Sequence, residues 1–184
     1  IDAIQASVRL QSNPVFSDAF GAASTHSIFD VASVTKLAAT TLVAAVLHNR
    51  GELSLDSPIT AFLPELRETH QGITVHHLLA HSSGLPAWHP FFQKSLSISG
   101  AFPGPPTAEG MARSRELCLE AVKRARPLHR PGQRRIYSDT GFILLGEILS
   151  IIGGASLDLL AKTLVFEPAE LQHTRFHRLG EPFN

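Results

Sequence analysis

The chain has 184 residues, 43% of them hydrophobic and 17% charged, with 16 basic and 16 acidic side chains and a formal net charge of +0. These are the proportions of an ordinary folded protein of one domain or two small ones, and they exclude a disordered chain. The single cysteine, Cys118, excludes an intrachain disulfide and any zinc site built on paired cysteines. The charge balance argues against a general nucleic-acid binder.

In chain order, Ile4, Ala6, Val8 and Leu10 alternate with Gln5, Ser7 and Arg9, the period of a half-buried strand. Gln11-Ser12-Asn13-Pro14 is turn chemistry, and residues 15–22 continue as a second strand, so a hairpin opens the chain. Residues 34–48 lack a breaker, are rich in alanine and leucine, and stop before Gly51. Their apolar residues run nearly all the way round, which predicts a deeply buried helix. Thr74 is placed to cap a short helix over 75–80 that stops at Ser82-Ser83-Gly84. A long loop over 86–107, thick with proline, glycine and aromatics, is a candidate wall or lid. A helix is predicted within 113–124, before Pro127, Pro131 and Gly132 break the chain. Asp139 is placed to cap a second buried helix over 140–152, which ends at Gly153-Gly154, and Ser156 to cap a last helix reaching about residue 164. The longest apolar runs, 37–47 and 142–152, fall short of the ~20 residues of a membrane span, so a soluble chain without a transmembrane segment is expected.

Ser33-Val34-Thr35-Lys36 falls where the first of these helices begins. Serine and lysine three apart share one helix face, about one turn from each other. Backbone N–H groups at a helix start place partial positive charge there, which helps an oxyanion form at Ser33 and disfavours a charged Lys36. Burial also lowers a lysine pKa, so Lys36 is a candidate acceptor for the Ser33 proton. The plainer reading of the four residues is a capping serine followed by a solvated lysine.

Two further segments change the balance. Leu78-Leu79-Ala80-His81-Ser82-Ser83-Gly84-Leu85 follows the first motif, and Tyr137-Ser138-Asp139-Thr140-Gly141 stands ahead of the second buried helix. With these three in order the chain resembles the serine β-lactamase and penicillin-binding-protein family, in particular its class C β-lactamase-like and esterase branch. Phe29-Asp30-Val31-Ala32 before the serine, Arg130-Pro131-Gly132 before the tyrosine, the segment from Gly51 to Ile59, and Phe166-Glu167-Pro168 are similar to family text as well. The resemblance implies an α+β fold of the β-lactamase/transpeptidase type. Residues 1–30 would be the N-terminal hairpin, and residues 31–184 a mainly helical region carrying the motifs. It makes Ser33 the nucleophile of an acyl-enzyme, Lys36 its proton or charge partner, and Tyr137 a general base or relay. One oxyanion donor would be the Ser33 backbone N–H. Which of Lys36 and Tyr137 is the base stays open at this point.

Asp139 stands where class C β-lactamases carry asparagine. An ionised carboxylate does not donate to a substrate carbonyl and repels anionic substrates. Ester hydrolysis is therefore expected ahead of β-lactamase or D-alanyl-D-alanine peptidase action, with a small ester, amide or peptide as substrate and no cofactor. A non-catalytic relative that keeps the fold and binds a ligand is the competing class. The family's third motif, a basic or histidine-type residue one position before a glycine on a strand, is not found: Lys162-Thr163-Leu164 lacks the glycine, and His177-Arg178-Leu179-Gly180 has the wrong spacing. The chain, which opens at Ile1 without a starting methionine or a signal-peptide pattern, is accordingly expected to be the front portion of an enzyme. Its hairpin would then have an open edge and an exposed apolar face.

His81 is expected to support the loop beside the site, and Trp88, Phe91 and Phe92 either wall an acyl pocket or pack the long loop down. His77 and His81, four apart with His76 adjacent, would let two imidazoles share a helix face and invite a metal reading, but no third ligand on that face or zinc-protease glutamate accompanies them. The basic run Lys123, Arg124, Arg126, Arg130, Arg134 and Arg135 is expected to be a solvated face, since no stacking aromatics interleave with it. Cys118 reads as a core residue.

Overall fold

The structure is a computed structural model and describes residues 2–88, 90 and 107–177. Most of the expected lid, with Phe91 and Phe92, and Arg178-Leu179-Gly180 lie outside the described residues. The chain divides into two compact units, Ile1–Ala32 and Ser33–Asn184.

In the first unit, β1 (Ala3–Leu10) and β2 (Asn13–Gly21) pair antiparallel, with Ile4 opposite Phe20 and Val8 opposite Phe16. The corner is tighter than predicted, because Asn13 and Pro14 already belong to β2. Gln11 takes up the reversal with a φ of 54°. The register slips between Val8 and Arg9, which sets Pro14 opposite Arg9. Proline has no N–H for a regular ladder, and an irregular register is where a strand tolerates it. The apolar face of the hairpin is exposed, as expected of an open-edged hairpin, rather than half-buried as the alternation alone suggests: Val8 is 55% and Leu10 70% exposed. A two-stranded ribbon is a single layer and has no second layer of its own to cover that face.

The second unit is helical. Val34 and Thr35 are already helical, Lys36–Thr41 is wound as a π-helix, and α1 (Leu42–Asn49) continues it. Ala39, Thr40, Val43, Ala44 and Leu47 are buried, the spacing of one helix face. Leu37 is 66% exposed, so the all-round burial expected of this helix is corrected to one buried side. Short turns at Ile59–Ala61 and Pro64–Leu66 lead to α2 (Val75–Leu79), which Thr74 caps as predicted. Next comes α3 (Ala108–Arg124), capped by Thr107 and longer at its start than the predicted 113–124.

The core of the unit is α4 (Asp139–Gly153), with Phe142, Leu144, Leu145, Ile148 and Leu149 all buried. Gly154 closes it in the left-handed conformation, φ 64°, which suits glycine at a helix end. Ser156 then starts α5 (Leu157–Ala161), which passes into a π-wound turn, Lys162–Phe166, and lies at 74° to α4. Leu47, Ile59, Ile73, Leu78, Leu85 and Leu160 complete the apolar core around α4. No single helix among the described residues is long and apolar enough to cross a membrane.

Candidate active site

Ser33 stands where the long helix begins, and its carbonyl accepts the Lys36 N–H at 3.1 Å. One helical turn brings the Lys36 side chain back over it, and Nζ donates to Ser33 Oγ at 3.1 Å. The same Nζ lies 2.6 Å from Asp139 Oδ1 and 4.8 Å from the centre of the Tyr137 ring. The start of one helix and the start of α4 thus bring Ser33, Lys36, Tyr137 and Asp139 together.

This ion pair fixes the charge of the lysine. Partial burial works to lower the Lys36 pKa, but hydrogen bonds with Asp139 and Tyr137, and the negative charges behind them, outweigh it and hold the group above its ordinary 10.5. The Asp139 carboxylate thus favours the charged form of Lys36, against the burial and helix-start effects that favour the neutral one. Tyr137 moves the other way. Hydrogen bonds from Lys36 and then from Ser33 hold its phenol below the ordinary 10.0, against the opposing charge of Asp139. Its side chain is 53% exposed, open to an incoming molecule.

The cap of α4 is also corrected. Ser138, not Asp139, has the extended backbone of a cap, and its Oγ accepts the Gly141 N–H at 3.0 Å. That hydroxyl donates in turn to the Pro86 carbonyl at 2.7 Å. Asp139 becomes the first helical residue, its N–H bonded to the Ala87 carbonyl at 2.8 Å, and its carboxylate meets Lys36 instead of capping. Trp88 follows Ala87 and is largely exposed.

His81 supports the tyrosine segment from beneath. Its ring lies 4.6 Å from that of Tyr137 and stacks at 4.7 Å on Phe142. Its Nδ1 accepts the Ser138 N–H at 3.0 Å, and its carbonyl accepts the Ile136 N–H at 2.8 Å. Burial first, then the Lys36 and Arg135 charges, push its pKa below the ordinary 6.5. Two more backbone bonds, Gly132 N–H to Ser82 O and Leu128 N–H to Gly84 O, lace the two motif segments together at 2.8 Å each. Gly84 is required at this crossing: its φ is +81°, and a Cβ would fall 2.0 Å from the His129 carbonyl oxygen.

The other candidates have structural partners. His77 Nδ1 accepts the Thr74 N–H at 3.1 Å and closes the capping box of α2. Among the described residues no group of three His, Cys, Asp or Glu is placed to hold a metal ion. Lys123 pairs with Glu65 at 2.7 Å, and Cys118 is half-buried against the core. Sequence reasoning missed the roles of Ser138 and Gly84. A signal for Ser138 was present, a serine three residues before a glycine at the onset of an apolar run. The crowding at Gly84 depends on a residue 45 positions away in the chain and leaves no local trace.

A family model described as Beta-lactamase matches residues 3–183. A protein of Escherichia coli (strain K12), named "Putative D-alanyl-D-alanine carboxypeptidase", is 30% identical over 168 residues, 88% of this chain and 36% of its own length. Among solved structures, the octameric penicillin-binding protein homologue from Pyrococcus abyssi is 28% identical with a TM-score of 0.76, over 92% of this chain and 39% of that one. The D-stereospecific amidohydrolase from Streptomyces sp. shares the fold at 20% identity with a TM-score of 0.68, over 94% of this chain and 51% of that one. The chain thus spans little more than a third of the length of the curated relatives it matches. The fold is of the β-lactamase/transpeptidase type, and with the family model matched from one end of the chain to the other, the chain belongs to the beta-lactamase family.

Proposed function

We propose that the chain carries the reacting centre of a serine hydrolase that works through an acyl intermediate on Ser33, with small esters or amides as acyl donors. The observation that carries this reading is the contact of Lys36 Nζ with Ser33 Oγ at 3.1 Å, beside a tyrosine whose phenol is drawn below its ordinary pKa. With Lys36 held as an ammonium by Asp139, Tyr137 is the better proton acceptor of the two. Ser33 Oγ attacks the acyl carbon as its proton passes to Tyr137 Oη, and the Lys36 charge stabilises the phenolate beforehand. The oxyanion that forms is met by the Ser33 backbone N–H at the helix start. Collapse breaks the bond to the alcohol or amine, which leaves with the proton from Tyr137. Water then attacks the acyl-serine by the same route in reverse, and the acid is released.

A second reading, peptidase action on D-alanyl-D-alanine ends, is favoured by the name of the Escherichia coli relative. The Lys36–Asp139 pair favours it too, because it takes up the carboxylate charge that would otherwise repel an anionic substrate. Intact mass after incubation with a fluorophosphonate tests the acyl-serine centre. One adduct on Ser33, absent from Ser33→Ala, is expected. No adduct on folded protein, or an adduct that survives the substitution, overturns it. Turnover of p-nitrophenyl esters set against release of D-alanine from a D-alanyl-D-alanine peptide then separates the two substrate classes.

A further inference from the structure

We infer that His81 is a positioning residue for the proposed reaction, and that it directs the Tyr137 hydroxyl toward Ser33 and Lys36 only while its Nδ1 is unprotonated. The inference rests on the acyl-serine reading above and deepens it.

Both peptide neighbours of Tyr137 hang on this one residue, Ile136 through the His81 carbonyl and Ser138 through Nδ1. The Ser138 bond requires a bare ring nitrogen. Protonation would turn Nδ1 from an acceptor into a donor facing a donor. The imidazole also packs against both Tyr137 and Phe142, so a change in its position is felt by the tyrosine ring directly. Its backbone is held at φ 54°, a left-handed conformation in which histidine and asparagine are over-represented among non-glycine residues. A simpler packing residue would not be expected there. The charges around the ring come from three segments. Lys36 on the serine helix and Arg135 before Tyr137 oppose its protonation, Asp139 at the start of α4 favours it, and the Tyr137 phenol is the titratable group against its face. Burial and the two cations prevail, so the neutral ring is the form at neutral pH and is lost on acidification below the ordinary 6.5.

The test follows the rate of fluorophosphonate labelling at Ser33 against pH, in the natural full-length protein. Acidification through the His81 pKa is expected to slow labelling by roughly tenfold, the scale of one lost hydrogen bond in a positioned site. In NMR spectra the Ser138 amide should titrate together with the His81 ring. His81→Asn keeps the left-handed backbone and offers Oδ1 as an acceptor that does not titrate, so it should retain labelling at neutral pH and lose this acid limb. His81→Leu, with its fold checked by circular dichroism, should label roughly tenfold more slowly at neutral pH. An acid limb unchanged in His81→Asn, or a Ser138 amide that ignores the ring, overturns the positioning role while the nucleophile stands. Labelling absent at every pH overturns the nucleophile, and the positioning role with it.

Discussion

The hairpin and the helical unit are both built from apolar residues at regular spacing, yet they use them in opposite ways. In the hairpin, Ile4, Val8, Phe16 and Phe20 line one side of the ribbon, and all four are exposed. In the helical unit, Leu144, Leu145, Ile148 and Leu149 have no accessible surface at all. Periodicity tells which residues share a face. Whether that face is buried depends on a second layer, and α4 has one on nearly every side while the two-stranded ribbon has none of its own.

This contrast makes its largest prediction at paired leucines. Leu145→Ala should destabilise the protein by about 2–5 kcal/mol in denaturant unfolding, because a closed cavity adds to the lost transfer energy. Leu10→Ala should cost less than about 0.5 kcal/mol, as for other exposed positions. Equal costs would break the comparison, and would mean that the apolar side of the hairpin is covered in the folded protein.

A smaller effect, read as a pH profile, is expected within the helical unit at Asp139. Its charge holds the pKa of Lys36 up and opposes ionisation of Tyr137. Because the Lys36 pKa is raised in the fold, the pair contributes stability that is complete below 10.5 and is lost as pH rises through the higher folded value. Asp139→Asn removes that contribution, worth less than about 1 kcal/mol for a partly exposed pair. It also lets both groups lose protons earlier. The pH profile of Ser33 labelling should therefore move to lower pH and narrow. A profile that moves to higher pH would show that Asp139 does not act on this pair.

How much of this could be read beforehand differs between the same two regions. In the hairpin, alternation located the first strand and the turn residues after it located the second, but not the two-residue corner, since Asn13 and Pro14 look like turn residues wherever they stand. In the helical unit the cap at Thr74 and the stop at Gly153-Gly154 were legible because each is a local backbone requirement, whereas Ser156 stands at the expected helix start without a capping hydrogen bond from its side chain. The π-wound stretches at Lys36–Thr41 and Lys162–Phe166 were not, since nothing in their residue types separates them from α-helix. For the site, the three motif segments contain Lys36, Tyr137 and Asp139, which the structure brings together with Ser33. They did not give the charge of Lys36. That charge is favoured by Asp139 and Tyr137, and the Asp139 carboxylate meets Lys36 while Ser138, one position earlier, caps the helix.

The smallest effect is expected at the corner of the hairpin. Gln11 holds a φ of 54°, and a non-glycine residue there costs roughly 1–2 kcal/mol. Gln11→Gly relieves that strain, but the unfolded chain gains freedom that offsets about 0.5–1 kcal/mol of it. The net gain should be a few tenths of a kcal/mol to about 1 kcal/mol, confined to the first unit. It should therefore appear as slower hydrogen exchange at the amides of β1 and β2, with α4 unchanged. If exchange in α4 slowed equally, the hairpin and the helical unit would open together, and the contrast between an independent ribbon and a buried core would fail. If exchange in the hairpin quickened, the side chain of Gln11 would be making a contact worth more than the strain it carries.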